Sequence, residues 1–203
     1  MSGVDAVLFD ADGLLQHPQA GWEDRLAAFD PIDPAGMLRD LWLAEVPALE
    51  GRQSLRDGLA QLLHARRLDV GHTEALLALW DNIEVDHDAW QVVRDVRAAG
   101  VSCYLATNQQ TFRRDLMLDL GYSDLVDHAF FSCDLGVAKP KPAYFERILE
   151  RIALPAERVV FVDDVLANVE AAASIGIVGR VHDPNCGASG LRDVLRSVDV
   201  PGT

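Results

Sequence analysis

Cysteine is scarce in this chain of 203 residues: only Cys103, Cys133 and Cys186, an odd and widely spaced set. A disulfide framework and a cysteine metal site are therefore not expected, and a reducing cytoplasm is the natural setting. Positive charge is scarce as well. Eighteen Lys and Arg stand against 32 Asp and Glu, a formal net charge of −14. Nucleic acid and anionic membrane surfaces gain no phosphate neutralisation from such a protein and are excluded as expected partners. No apolar run approaches the ~20 residues that span a bilayer. The N-terminus lacks the basic and then apolar pattern of an export signal, so secretion is not expected. Internal repeats, low-complexity tracts and long linkers are absent too. What remains is 49% hydrophobic and 25% charged, which suits one large globular domain or two small ones. The expected partner is a small molecule, bound by a monomer or homodimer. A phosphorylated one needs local cations or a metal ion to approach so acidic a protein.

The chain is organised around Val7 to Leu15. Four apolar residues, Ala6 to Phe9, run into Asp10, followed by Asp12 and Gly13. A short continuous apolar run with a turn after it predicts a strand buried on both faces, as in a parallel sheet. Ligands of such sheets bind beyond the carboxyl ends of the strands. From about Gln19 to Asp81 only helical periodicity is present: Trp22, Leu26 and Phe29; Met37, Leu38, Leu41 and Trp42 after the start signal Asp33-Pro34; Leu59, Leu62 and Leu63; Leu76, Leu77 and Trp80. From Asp86 onward strands and helices alternate, with strands expected at 101–106, 129–132, 158–162 and 177–182. Each connection is long enough for a crossover, which predicts a mostly parallel sheet covered on both faces.

Three of these strands end in polar groups: Asp10 and Asp12, Thr107 and Asn108, Asp163 and Asp164. Lys139 stands between the last two in a proline-stiffened loop, Lys139-Pro140-Lys141-Pro142. Singly, each has an ordinary explanation. Acids cap helices, Thr and Asn cap turns, and a lysine is usually solvated. Together, along one sheet edge, they predict one site. Two like charges ~4 Å apart repel by roughly 4 kcal/mol at an effective dielectric near 20, so four converging carboxylates need a cation. Oxygen donors without His or Cys favour a hard ion, and Mg²⁺ is the usual one beside phosphate.

In this set and order, Asp10-Ala11-Asp12-Gly13, Thr107-Asn108, Lys139-Pro140 and Asp163-Asp164, the chain resembles the haloacid dehalogenase superfamily over nearly its whole length. The resemblance implies a doubly wound, Rossmann-like α/β core (residues 1–15 and 86–203) with a small all-helical cap inserted after the first strand (16–85). It implies a phosphatase of small phosphorylated metabolites, sugar phosphates among them, working through an aspartyl phosphate. Asp10 would be the nucleophile and Asp12 the acid and base. Thr107, Asn108 and Lys139 would hold the phosphoryl oxygens. Mg²⁺ would sit on Asp10, the Asp12 carbonyl and Asp164, with Asp163 assisting through water. Where many relatives carry a further acid, this chain has Asn168, one turn past Asp164 and within reach of the metal's water shell.

Asp12 separates this reading from the dehalogenases themselves, which resemble the chain but lack that acid, because a halide leaves without a proton. A phosphoglucomutase-like transferase shares the core and differs in the cap. A receiver domain, a non-enzymatic phosphoacceptor, uses similar residues but has no cap. Within the cap, Trp22 and Trp42 fall in helical stripes that favour a core role, and Arg52 and Trp22 are the candidates for contact with substrate. Loops near His17-Pro18 and Val85-Asp86 predict a cap that swings against the core.

Overall fold

The computed structural model describes residues 3–203; Met1 and Ser2, which open the expected core, lie outside the described residues. In chain order the elements are β1 (Ala6–Phe9), β2 (Gln16–His17), α1 (Trp22–Ala27), α2 (Pro34–Leu49), α3 (Leu55–Ala65), α4 (Thr73–Leu77), β3 (Glu84–Val85), α5 (His87–Ala98), β4 (Ser102–Thr107), α6 (Thr111–Asp119), α7 (Tyr122–Leu125), β5 (His128–Phe131), α8 (Ser132–Leu135), α9 (Pro142–Ile152), β6 (Val159–Asp163), α10 (Leu166–Ala173), β7 (Val178–Val181) and α11 (Gly187–Arg196). Five strands form one sheet in the order β5-β4-β1-β6-β7, every pair parallel. Strand β1 is central, and all four of its residues are fully buried.

The period of two in a strand divides the core into layers. Val7 and Phe9 of β1, with Val160 and Val162 of β6, face one cluster, which α5 and α11 cover with Trp90, Val93, Leu191 and Leu195. Ala6 and Leu8, with Val159 and Phe161, face the other, covered by Tyr144, Phe145 and Ile148 of α9 and Val169 of α10. Unbroken runs of apolar residues are what a strand needs when both of its faces are dry. The fold is therefore the expected doubly wound α/β sheet.

The helices between β2 and β3 build a third apolar cluster of their own, from Leu26, Met37, Leu41, Leu59, Leu63 and Leu76. Helix α2 starts at the predicted signal. The Asp33 carboxylate accepts from Gly36 N at 3.0 Å, with Pro34 in the first turn. The connections to this insert are not two separate loops. Gln16 pairs with Val85 and His17 with Glu84 as a short antiparallel ribbon. Two residues per strand carry no readable alternation, which is why the sequence does not reveal it. No helix among the described residues is long and apolar enough to cross a membrane.

Candidate active site

Strands β4, β1 and β6 are neighbours, so their carboxyl ends bring Thr107, Asp10 and Asp163 together. Lys139 is the hub. Its buried ammonium reaches Asp163 Oδ2 at 2.7 Å and the Ala106 carbonyl at 3.0 Å. It also lies 2.8 Å from Asp10 Oδ1, off hydrogen-bond alignment, which leaves that buried oxygen beside a charge but without an aligned donor. Burial raises the Asp10 pKa against the pull of Lys139, and Asp163 adds to the rise. Burial works to lower the Lys139 pKa, yet Asp10 and Asp163 hold it above its ordinary value. Asp164 is half-buried, and its pKa is raised by burial and then by Asp163.

Asp163 has no exposed surface and no spare oxygen. Oδ1 accepts from Val165 N at 2.7 Å and from Asn168 Nδ2 at 3.1 Å; Oδ2 accepts from Lys139 and from Asn168 at 3.0 Å. Asn168 therefore donates to Asp163 directly. Asn108 also turns its side chain inward. Its Oδ1 accepts from Lys139 N at 2.9 Å and its Nδ2 donates to the Lys139 carbonyl at 3.0 Å, tying the loop after β4 to the lysine loop.

The acidic corner fits a divalent cation. One carboxylate oxygen from each of Asp10, Asp163 and Asp164 lies within 4.8 Å of the others, and Asp10 and Asp164 have oxygens free to give to a cation. Three carboxylates outnumber one ammonium there, and an all-oxygen set suits Mg²⁺. Gly13 keeps the corner open. It has φ +73°, and a Cβ on it would stand 2.6 Å from Asp164 Oδ2.

Asp12 stands apart from this cluster, its side chain 42% exposed and paired with Arg113 at 2.7 Å. Gln109 Nε2 donates to its Oδ2 at 2.6 Å, and Gln16 Nε2 to its Oδ1 at 2.9 Å. Gln109 also reaches Thr107 Oγ1 at 3.3 Å. None of Gln16, Gln109 and Arg113 is legible as a site residue in the sequence: nothing local marks the contacts of Gln109 and Arg113, made across 97 and 101 residues, and Gln16, only four residues from Asp12, stands in no recognisable pattern with it.

A cavity of about 370 Å³ opens from Asp12, floored by Asn108, Gln109 and Arg113. Its walls come from the helical insert: Trp22, Trp42, Glu45, Leu49, Leu79 and Trp80 among them. Trp22, a candidate for substrate contact, packs against the insert's apolar cluster and also lines the cavity, where it meets Trp42 edge to face at 5.9 Å. Arg52 is not brought to the cavity. It pairs with Glu50 at 2.8 Å on the surface, and Glu50 also meets Lys141 of the core. Glu45 was missed by the sequence reading, although its position is a signal. It follows Met37 and Leu41 at four-residue spacing on the buried face of α2. It accepts from Trp80 Nε1 at 2.7 Å, and burial pushes its carboxyl up to about 7.

Comparison with known proteins bears on this arrangement. The profile of the haloacid dehalogenase-like hydrolase family matches residues 4–176. The chain is 35% identical over 89 residues to the sesquiterpene phosphatase astK of Aspergillus oryzae, 43% of this chain and 45% of astK. It thus spans less than half the length of that relative. It is 26% identical over 198 residues to phosphatase MT3486 of Mycobacterium tuberculosis, 89% of this chain and 88% of that protein. A HAD family enzyme of Bacteroides thetaiotaomicron superposes with a TM-score of 0.76 at 17% identity, over 89% of this chain and 94% of its own. The same enzyme in complex with magnesium and inorganic phosphate gives 0.73 at 18% identity, with the same coverage. Likeness at that identity shows the fold alone.

Proposed function

The chain belongs to the haloacid dehalogenase-like hydrolase family, and on that premise we propose that it is a Mg²⁺-dependent phosphatase of small phosphate monoesters. The observation that carries this reading is the buried corner of Asp10, Lys139, Asp163 and Asp164, with Asp12 held beside it at the mouth of a cavity. The two similar phosphatases support the ester chemistry. The helical segment 16–85 acts as a cap over a core of 1–15 and 86–203, and three free thiols suit a cytoplasmic setting.

An Asp10 carboxylate oxygen attacks phosphorus, and the bond from phosphorus to the ester oxygen breaks. Asp12 gives its proton to the departing oxygen. In the second step Asp12 takes a proton from water, the water oxygen attacks phosphorus, and the bond to Asp10 breaks to release inorganic phosphate. A carboxylate nucleophile divides one hard displacement into two easier ones. Lys139 Nζ, Thr107 Oγ1 and the Asn108 backbone region hold the phosphoryl oxygens. Asp10, the Asp12 carbonyl and Asp164 would hold Mg²⁺, with the saturated Asp163 fixing Lys139 from behind. When bound, the ion supplies neutralisation of the charge on the transferring group. Asp12 favours an ester over a halide, since only the ester's leaving oxygen needs a proton.

The test is hydrolysis of p-nitrophenyl phosphate and acetyl phosphate. EDTA is expected to abolish turnover and Mg²⁺ to restore it. Full turnover by metal-free protein overturns the metal requirement.

A further inference from the structure

Resting on the phosphatase reading, we infer that the ester taken by this site carries an apolar alcohol, not a sugar, seated in the cavity beside Asp12 between Trp22, Trp42, Trp80, Leu49 and Leu79. The cavity begins at Asp12, the residue that serves the leaving oxygen, so it is the space into which the alcohol half of the ester projects. Its volume of about 370 Å³ is within the usual range for ligand pockets. Three indoles and two leucines wall it, and Trp42 is 48% exposed although it is a large apolar side chain. An exposed indole that faces a cavity gains by being covered.

Most polar groups around the cavity are already engaged. Asn82 Oδ1 accepts from Gln19 N at 2.9 Å, and its Nδ2 donates to the Gln19 carbonyl at 3.4 Å. Gln109 Nε2 and Arg113 Nη2 are bound to Asp12, while Arg113 Nε is buried without a partner. Glu45 already accepts from Trp80. A sugar would bury several hydroxyls in a wall that offers Arg113 Nε and Glu45 but few other free groups, and each unpaired one costs about fivefold or more in affinity. A hydrocarbon chain or ring asks for no such partners. Glu45, whose carboxyl burial pushes up to about 7, adds a hydroxyl donor when protonated, so a single oxygen on the alcohol is accommodated.

The test uses ethyl, butyl and octyl phosphate and glucose 6-phosphate as substrates, and ethylphosphonate and octylphosphonate as inert ligands followed by tryptophan fluorescence. kcat/KM is expected to rise about fourfold per methylene until the cavity is filled, which puts octyl phosphate about 100-fold or more above ethyl phosphate. Trp42→Glu, at an exposed position, is expected to cut the octyl-to-ethyl ratio about tenfold or more. Octylphosphonate binding more tightly than ethylphosphonate supports the inference even if no ester is hydrolysed, a result that would overturn only the phosphatase reading. Equal binding of the two phosphonates, or glucose 6-phosphate turned over as well as octyl phosphate, overturns the inference.

Discussion

Replacing Glu45 by glutamine is expected to stabilise the protein at alkaline pH and to do so less and less as the pH falls. The carboxyl lies on the buried face of α2, 7% exposed, with one hydrogen bond, from Trp80 Nε1 at 2.7 Å. Burial lifts its pKa from 4.5 to about 7, against opposing pulls from Trp80 and Arg113. Below pH 4.5 the carboxyl is protonated in both folded and unfolded chains and costs nothing. Between 4.5 and about 7 the unfolded chain releases the proton while the folded chain keeps it, so rising pH draws the equilibrium toward unfolding. At about 1.4 kcal/mol per pKa unit the loss accumulates to roughly 3 kcal/mol and is complete just above pH 7. Glu45→Gln keeps the shape and the acceptor for Trp80 and removes the titration. Any fixed cost of burying the amide is the same at every pH. Urea unfolding of both proteins at pH 5 and pH 8 isolates the effect, because every other group cancels in the difference. The variant should gain about 2.5 kcal/mol on the wild type between the two pH values, the remainder of the loss having accrued below pH 5. A difference that does not change with pH, or one that moves the other way, refutes the reasoning that this carboxyl is buried neutral.

Removing either motif aspartate should fail in its own way. After brief mixing with p-nitrophenyl phosphate, Asp12→Asn is expected to accumulate a phosphate adduct on Asp10 by intact-protein mass spectrometry, with turnover down about 10²–10⁴-fold, whereas Asp10→Asn forms none; an adduct on any other residue refutes the assignment. Asn168→Ala removes both side-chain amide contacts to Asp163 and is expected to weaken Mg²⁺ activation about 10–100-fold. An unchanged Mg²⁺ titration would show that Asp163 does not depend on it.

The sheet was legible because burial on both faces leaves its mark in β1 and β6, whose runs Ala6–Phe9 and Val159–Val162 contain no polar residue. The acids that follow them were legible for the same reason, since a charge directly after such a run has to be explained. Short elements were not. Helices α7 and α8 and the β2–β3 ribbon have two to four residues each, too few for a period to register. Nor could the sequence say what each polar side chain would face. Asn168 looks like a reserve metal residue one turn past Asp164, but the path of α10 aims it at Asp163. Periodicity put Trp22 and Trp42 on an apolar stripe, and a stripe does not distinguish a packed core from the wall of a cavity. Arg52 follows a glycine at a chain reversal, as a loop ligand would, and its charge is taken by Glu50.

Those contacts of Glu50 also bear on how the insert could move. It meets the rest of the molecule at the β2–β3 ribbon, at Glu50 with Lys141, and at Phe112 of α6, which packs into the insert's apolar cluster. Beside the second contact, Gly51 has φ +67° and passes so close to the Cys133 carbonyl that a Cβ would stand 2.3 Å from its oxygen. The ion pair is a weak tether: Lys141 is 61% exposed, and such pairs contribute about 0–1 kcal/mol. Phe112 is the stronger restraint, since withdrawing an aromatic ring from apolar surroundings costs about 1.5–3 kcal/mol. The ribbon has backbone pairing at both strands and is the contact that can persist while the others part. A swing of the insert about Gln16–His17 and Glu84–Val85 would therefore part the cavity between the insert and Asn108, Gln109 and Arg113 of the core and leave Asp10, Lys139 and Asp163 in place. The groups proposed to do the chemistry stand at the ends of β1, β4 and β6 or on core loops beside them, and those proposed to choose the alcohol ride on the helices that can move.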